Sequence, residues 1–268
     1  MSPPRDLRVS LIQAATRWLD PTGNRALYAE LARPLAGATD LVVLPETFTS
    51  GFSNEALASA EGMNGPTVAW MQSLAVELKA VITGSIQCRV GEQVFNRLIW
   101  ARPDGSLAHY DKRHLFRMAN EHQRYAAGQA NLTVELQGWR IRPLVCYDLR
   151  FPVFIRNVFD QAAQRFDYDL VLFVANWPAA RRHAWRTLLP ARAIENLSYC
   201  VGVNRVGIDG NSIAYAGDSV VLDMLGQPLI ECGAQPQVVT VSLAAEALAE
   251  HRQRFPAQLD SDRFEIIS

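Results

Sequence analysis

The sequence predicts an α/β protein, with two packed β-sheets covered by helices and folded as a single domain. Three observations predict it. Strand-like and helix-like stretches alternate from one end of the chain to the other. The strands outnumber the helices between them, so sheets must pack on each other as well as on helices. No linker, charge block, low-complexity tract or repeat divides the 268 residues, a length sufficient for a sizeable core.

Residues 7–14, LRVSLIQA, alternate as a half-buried strand. Asn24 to Leu35 has helical spacing and stops at Gly37. DLVVLPE (40–46) is continuously apolar before its charge, as in a strand covered on both faces. Thr67 to Leu78 reads as a helix, with Pro66 as its start signal. AVITGSIQCRV (80–90) and VFNRLIWARP (94–103) are strands joined around Gly91, and the PDG turn (103–105) leads to SLAHYDK. LTVELQG and WRIRPLVC form the next pair. Arg150 to Gln164 reads as helical, DLVLFVANW (169–177) as a buried strand, and Arg181 to Leu197 as a helix. SYCVGVNRV, IAYAGDSVVLD and VVTVSL complete the strands, with a turn at 225–228.

Composition limits the function classes. With 26 basic and 27 acidic residues, the net charge of −1 argues against a nucleic-acid or polyanion binder. The N-terminus lacks an apolar signal core and no stretch is apolar enough to span a bilayer, so a cytosolic location is expected. Cys88, Cys146, Cys200 and Cys232 are widely spaced without a C-x-x-C pair, which predicts free thiols rather than a zinc or redox motif.

Three strand ends carry chemistry. Glu46 follows the apolar run LVVLP, Lys112 sits in AHYDKRHLF and Cys146 ends RPLVC. Alone, each has an ordinary explanation: a cap or ion pair, a solvated lysine, a buried cysteine. Together they present a carboxylate, an amine and a thiol at the edge where α/β enzymes keep their sites.

LPETFTSGFS, YDKRHLF and CYDLRFP resemble the three signature segments of the nitrilase (carbon–nitrogen hydrolase) superfamily, and the likeness runs over nearly the whole chain. The resemblance implies a four-layer α-β-β-α sandwich and places Glu46, Lys112 and Cys146 at the family's Glu–Lys–Cys catalytic positions. Glu121, in ANEHQRYAAGQ, resembles the family's second carboxylate, which orients the lysine. The chemistry it implies is amide hydrolysis through a thioester. Glu46 takes the thiol proton, and Lys112 and the backbone N–H of Tyr147 stabilise the tetrahedral oxyanion. A thiol of pKa about 8.5 needs such a base or cation near neutrality. Neither metal nor organic cofactor is expected.

Within the superfamily the segments resemble the ω-amidase branch, which hydrolyses the terminal amide of 2-oxoglutaramate or 2-oxosuccinamate. Such a substrate needs a cation for its carboxylate. Arg150 is the first candidate, with Arg113 and Arg117 behind it; Arg150 as an ion-pair partner of Asp148 or Glu195 stays open. Phe48, Phe52, Phe116 and Trp177 are candidate pocket walls. Deaminated-glutathione amidases and N-carbamoyl amino acid hydrolases share these motifs and remain alternatives. A Cys–His hydrolase would need one of the five histidines as its base, His114 and His122 lying nearest. A catalytically silent binding protein would be expected to lack one of the three residues. The resemblance also implies a homodimer or dimer-based assembly. Residues 253–268 form an extended arm in that reading, anchored by Phe255, Phe264 and Ile266.

Overall fold

The computed structural model describes residues 3, 5–262 and 264–266. Strand β1 (Leu7–Gln13) leads to helix α1 (Pro21–Ala32), then to β2 (Leu41–Val43), α2 (Pro66–Leu78) and the hairpin β3 (Val81–Val90) with β4 (Gln93–Ala101). Strand β5 (Leu107–Asp111) follows, and after a long loop the pair β6 (Val134–Leu136) and β7 (Trp139–Val145). Next come the short α3 (Pro152–Ile155), a small hairpin of β8 (Phe159–Asp160) and β9 (Arg165–Phe166), strand β10 (Leu170–Ala175) and helix α4 (Arg182–Asn196). The chain continues with β11 (Tyr199–Asn204), the hairpin β12 (Val206–Ile208) and β13 (Ala214–Ala216), then β14 (Val220–Leu222), β15 (Pro228–Glu231), β16 (Gln237–Leu243) and α5 (Ala245–Arg254).

Two six-stranded sheets result, in the orders β16-β1-β2-β3-β4-β5 and β15-β14-β11-β10-β7-β6. Each has a parallel centre, β1-β2-β3 in one and β7-β10-β11 in the other. Period-two alternation decides what each strand packs against. Leu7, Val9 and Leu11 of β1, Leu41 and Val43 of β2, and Leu98 and Trp100 of β4 share one core with the second sheet. Ile12, Val42, Ile82 and Ile99 point the other way, onto Tyr28 of α1 and Val68, Met71 and Leu74 of α2. The faces of β10 are filled by the first sheet and by Trp185, Leu189 and Ala193 of α4. The layers are therefore α-β-β-α.

Two stretches depart from the expected pattern. Residues 150–164 do not form a helix: α3 ends after four residues, and Arg156 leaves at ψ 127°. The Asn157 side chain then bonds the main chain of Tyr168 and Asn196, while Asp160 accepts from the amides of Ala162 and Ala163 to close the β8–β9 turn. Tertiary hydrogen bonds here outweigh helical spacing. Residues 213–223 are likewise two strands, broken at Gly217 and Asp218, both at positive φ. The backbone passes close to β1 at Gly217, where a Cβ would come 2.5 Å from the Gln13 amide. The expected arm at 253–268 begins inside α5 and includes a short turn at 257–260; residues 263, 267 and 268 lie outside the described residues. Among the described residues, no helix is long and apolar enough to cross a membrane.

Candidate active site

Parallel strand centres bring the carboxyl ends of both sheets to one edge of the sandwich. Glu46 follows β2, Lys112 follows β5, Cys146 follows β7 and Asn176 follows β10. Asn96, within β4, faces the same space. The site is thus assembled from both sheets, with these side chains in a strand or just past a strand end.

Lys112 is the hub. Its Nζ lies 3.0 Å from Glu46 Oε1, 3.0 Å from Glu121 Oε1 and 2.9 Å from Glu121 Oε2, and all three residues are buried. Burial alone would pull the ammonium pKa down, but the Glu121 and Glu46 carboxylates hold it well above the ordinary lysine value. The two carboxylates thus favour the charged ammonium over the neutral amine. Glu121 sits in a short helical turn and also accepts the amide of Phe116 at 2.6 Å. Burial, with help from Glu46, raises its pKa against the pull of Lys112.

Glu46 is held on every side. Asn176 donates its backbone N–H to Glu46 Oε2 at 2.7 Å, and its side-chain amide to the Glu46 carbonyl at 2.7 Å. Asn96 donates to Oε1 at 2.8 Å. The side-chain oxygens of both asparagines are buried without a hydrogen-bond partner among the described residues.

Cys146 has φ 46°, a left-handed conformation that costs a non-glycine residue about 1–3 kcal/mol and persists only where the surroundings enforce it. Asp148 enforces it. Its carboxylate accepts from the Val145 amide at 3.1 Å, the Tyr110 hydroxyl at 2.8 Å and the His114 amide at 3.1 Å, and pairs with His114 Nδ1 at 2.8 Å. Arg192 of α4 donates to the Leu149 carbonyl from both Nε and Nη2. The thiol that results is pushed well above its ordinary pKa, first by burial, then by the Glu46 charge, with Lys112 opposing. Burial and the Glu46 charge both favour the protonated thiol.

These groups floor a cavity of about 270 Å³. Phe52, Phe116, Tyr147, Arg150 and Trp177 line it, together with Met118, Arg181, Ile213 and Tyr215, which sequence reasoning did not select. Lys112 Nζ lies 5.4 Å from the Phe52 ring centre, and Phe116 packs edge-on against Tyr147 at 5.0 Å. The Tyr147 amide lies in the first turn of a short helix, where N–H groups lack intrahelical acceptors. Arg150 makes no ion pair among the described residues, because Asp148 serves His114 and Tyr110 and Glu195 pairs with Arg192. Its guanidinium lies 4.9 Å over the Trp177 ring instead.

Phe48 is misplaced by the sequence reading. It is fully buried against Tyr28 and Trp70 in the core under α1 and α2, because the chain turns at Thr47, which has φ 40°. Arg113 and Arg117 do not line the cavity either; Arg113 donates to the Gln129 carbonyl and packs over Phe154. No histidine among the described residues lines it, which removes the Cys–His arrangement. His114 is stacked on Phe151 at 3.7 Å and serves Asp148. Among the described residues, no group of three or more His, Cys, Asp or Glu could hold a metal ion. Asn176 was detectable by the rule that singled out Glu46, a polar side chain ending an apolar strand. Arg181 carried no such signal, lying at a helix start beside another arginine.

The carbon-nitrogen hydrolase family model matches residues 8–253. The chain is 46% identical over 263 residues to omega-amidase YafV of Escherichia coli K12, covering 97% of this chain and 98% of that protein. It is 32% identical to a 2-oxoglutaramate amidase of Bacillus subtilis, over 81% of this chain and 83% of the relative. Among solved structures it is similar to XC1258 of Xanthomonas campestris, a CN-hydrolase superfamily protein with an arsenic adduct in its active site. That match has 64% identity and a TM-score of 0.96, covering 97% of this chain and 99% of that one.

Proposed function

This chain belongs to the carbon–nitrogen hydrolase family, within the nitrilase superfamily, and from that premise we propose that it is an ω-amidase whose nucleophile is Cys146. It is a hydrolase of non-peptide carbon–nitrogen bonds. The observation that carries the residue assignment is the buried Glu46–Lys112–Glu121 cluster, set beside a strained thiol at the floor of a cavity.

The substrate amide enters with its carbonyl oxygen toward Lys112 Nζ and the Tyr147 N–H. Glu46 removes the Cys146 proton as sulfur bonds to the amide carbon, and the carbonyl oxygen becomes an oxyanion held by those two donors. The proton passes from Glu46 to the amide nitrogen, the carbon–nitrogen bond breaks and ammonia leaves. Glu46 then deprotonates water, which attacks the thioester; the acid departs and the proton returns to sulfur. Glu121 holds Lys112 in place throughout and keeps it charged. Because burial and the Glu46 charge favour the protonated thiol, proton transfer to Glu46 accompanies attack rather than preceding it.

The substrate is the monoamide of a small 2-oxo dicarboxylic acid, such as 2-oxoglutaramate or 2-oxosuccinamate. Relatives named as an omega-amidase and a 2-oxoglutaramate amidase support this, as does the Arg150 guanidinium lining the cavity, which has no ion pair among the described residues. Glu46, Lys112 and Cys146 are all retained, as a silent binding protein would not require. The chain works as a homodimer: Val153, Val158, Ile194, Phe255 and Phe264 leave apolar side chains exposed around α3, α4 and the C-terminal segment. Its four buried free cysteines suit the reducing cytosol. Ammonia release across a panel of ω-amides, nitriles and N-carbamoyl acids tests the substrate class. The 2-oxo acid monoamides should give the highest kcat/KM; preference for a nitrile or a carbamoyl acid would refute it.

A further inference from the structure

We infer that Arg181 is a second specificity-determining cation, which with Arg150 clamps the substrate carboxylate at the outer end of the cavity. The inference rests on the ω-amidase reading and names a residue that reading does not use.

One turn positions both guanidiniums. The Arg181 carbonyl accepts the Trp177 indole N–H at 2.9 Å, fixing the ring over which Arg150 lies at 4.9 Å. The Arg181 side chain folds back over Phe116, its guanidinium carbon 5.1 Å from the ring centre, and Nη2 reaches the Met118 sulfur at 2.7 Å. Phe116 and Trp177 thus carry one arginine each, as two walls of one cavity. A thioether is a poor partner for a guanidinium, whose fork is matched by a carboxylate. The neighbouring Arg182 is by contrast spent on a bidentate pair with Asp218. Among the described residues Arg181 has no acidic partner, and neither has Arg150.

The charge pattern points the same way. Among the described residues, Lys112, Arg150 and Arg181 line the cavity against one lining carboxylate, Glu46. Lys112 is already matched by Glu46 and Glu121 at the floor. The uncompensated charge is therefore the arginine pair, and an apolar aromatic wall around it strengthens its field. A neutral amide suits the floor and an anion suits the outer end, so the favoured ligand is an amide with a carboxylate at its far end. Two guanidiniums further favour an acceptor next to that carboxylate, as the 2-oxo group provides.

Calorimetric titration of the Cys146→Ala protein with and without Arg181→Met tests this without turnover. The probes are 2-oxoglutaramate and the same chain with a methyl group replacing the carboxylate. Loss of a charge-assisted contact should weaken 2-oxoglutaramate by about tenfold or more, and the charged-to-uncharged affinity ratio should fall by the same factor. Arg181→Lys should recover part of it. The Arg181 carbonyl survives these changes, so Trp177 stays fixed; a melting curve checks folding, and Arg181→Gln replaces any variant that fails it. An unchanged ratio overturns the inference, as does failure of 2-oxoglutaramate to bind when Arg181 is present. Failure of the Cys146 protein to hydrolyse any ω-amide would instead sink the functional reading, while the binding ratio still decides the role of Arg181.

Discussion

Glu46 and Asn176 come from different sheets and grip each other twice: the Asn176 backbone N–H donates to the Glu46 carboxylate, and its side-chain amide to the Glu46 carbonyl, both at 2.7 Å. Glu46, the proposed general base, is thereby tied across the sandwich to the strand beside the one that ends at Cys146, since β7 and β10 are adjacent. Asn176→Ala keeps the backbone bond and loses the side-chain one. Loss of a buried hydrogen bond costs about 1–3 kcal/mol, so we expect kcat to fall by about tenfold or more, with a lower melting temperature. An unchanged kcat would mean that Glu46 does not depend on this tie.

Substitution of Glu46 should separate acidity from turnover. The Glu46 charge helps hold the Cys146 thiol protonated, while Lys112 opposes it. Glu46→Gln removes the first and leaves the second, so the thiol pKa falls and more thiolate exists at a given pH. Iodoacetamide should label Cys146 faster in Glu46→Gln than in the unaltered protein, although ammonia release drops by about a hundredfold or more. Slower labelling would contradict the electrostatic account.

Much of this arrangement was legible in the sequence, for physical reasons. The continuous apolar run before Glu46 reports a strand covered on both faces, and the faces of β2 enter two different cores; β1, whose alternation reads as half-buried, is covered on both faces as well. Glu46, Lys112 and Cys146 stood out because charge or thiol chemistry interrupts apolar strands, and the structure brings them together. Two things were not legible. Helical spacing at 150–164 was overridden by Asn157, whose partners lie 11 and 39 residues away. Pocket walls depend on which way a loop turns, so Phe52 reached the cavity and Phe48 went to the core. Ile213 and Tyr215 arrive from a hairpin near the far end of the chain, a contact that no local pattern encodes.

Lys112 should be costly to lose on two counts. As a transition-state donor, its removal in Lys112→Met is expected to lower kcat/KM by about 10²–10³-fold. Stripping the cation also leaves the Glu46 and Glu121 carboxylates buried without compensation, so the melting temperature should fall clearly. A decrease of only a few-fold in kcat/KM would make Lys112 a structural ion-pair partner alone.

The pH dependence of stability follows from the same thiol. Its folded pKa lies above the unfolded value, so the native state holds the proton more tightly. That contribution is complete below the unfolded pKa of about 8.5 and is lost as pH rises toward the folded value. Melting curves from neutral to alkaline pH should show the protein losing less stability in Cys146→Ala than with the cysteine present. Equal losses would place the alkaline sensitivity elsewhere.

Exposed Val153, Ile194 and Phe255 surround α3 and α4 next to the turn that carries Cys146. Sedimentation should show a homodimer, or an assembly of dimers, at micromolar concentration, and Ile194→Asp should shift it toward monomer. A monomer before any substitution would contradict the proposed assembly.

Cysteine replacement tests the central claim most directly. Cys88, Cys200 and Cys232 are buried and do not line the cavity, whereas Cys146 is held at its floor. Ammonia release from 2-oxoglutaramate should be abolished in Cys146→Ala with the melting transition retained, and should persist in the alanine variants of the other three. Full turnover by Cys146→Ala would contradict the mechanism.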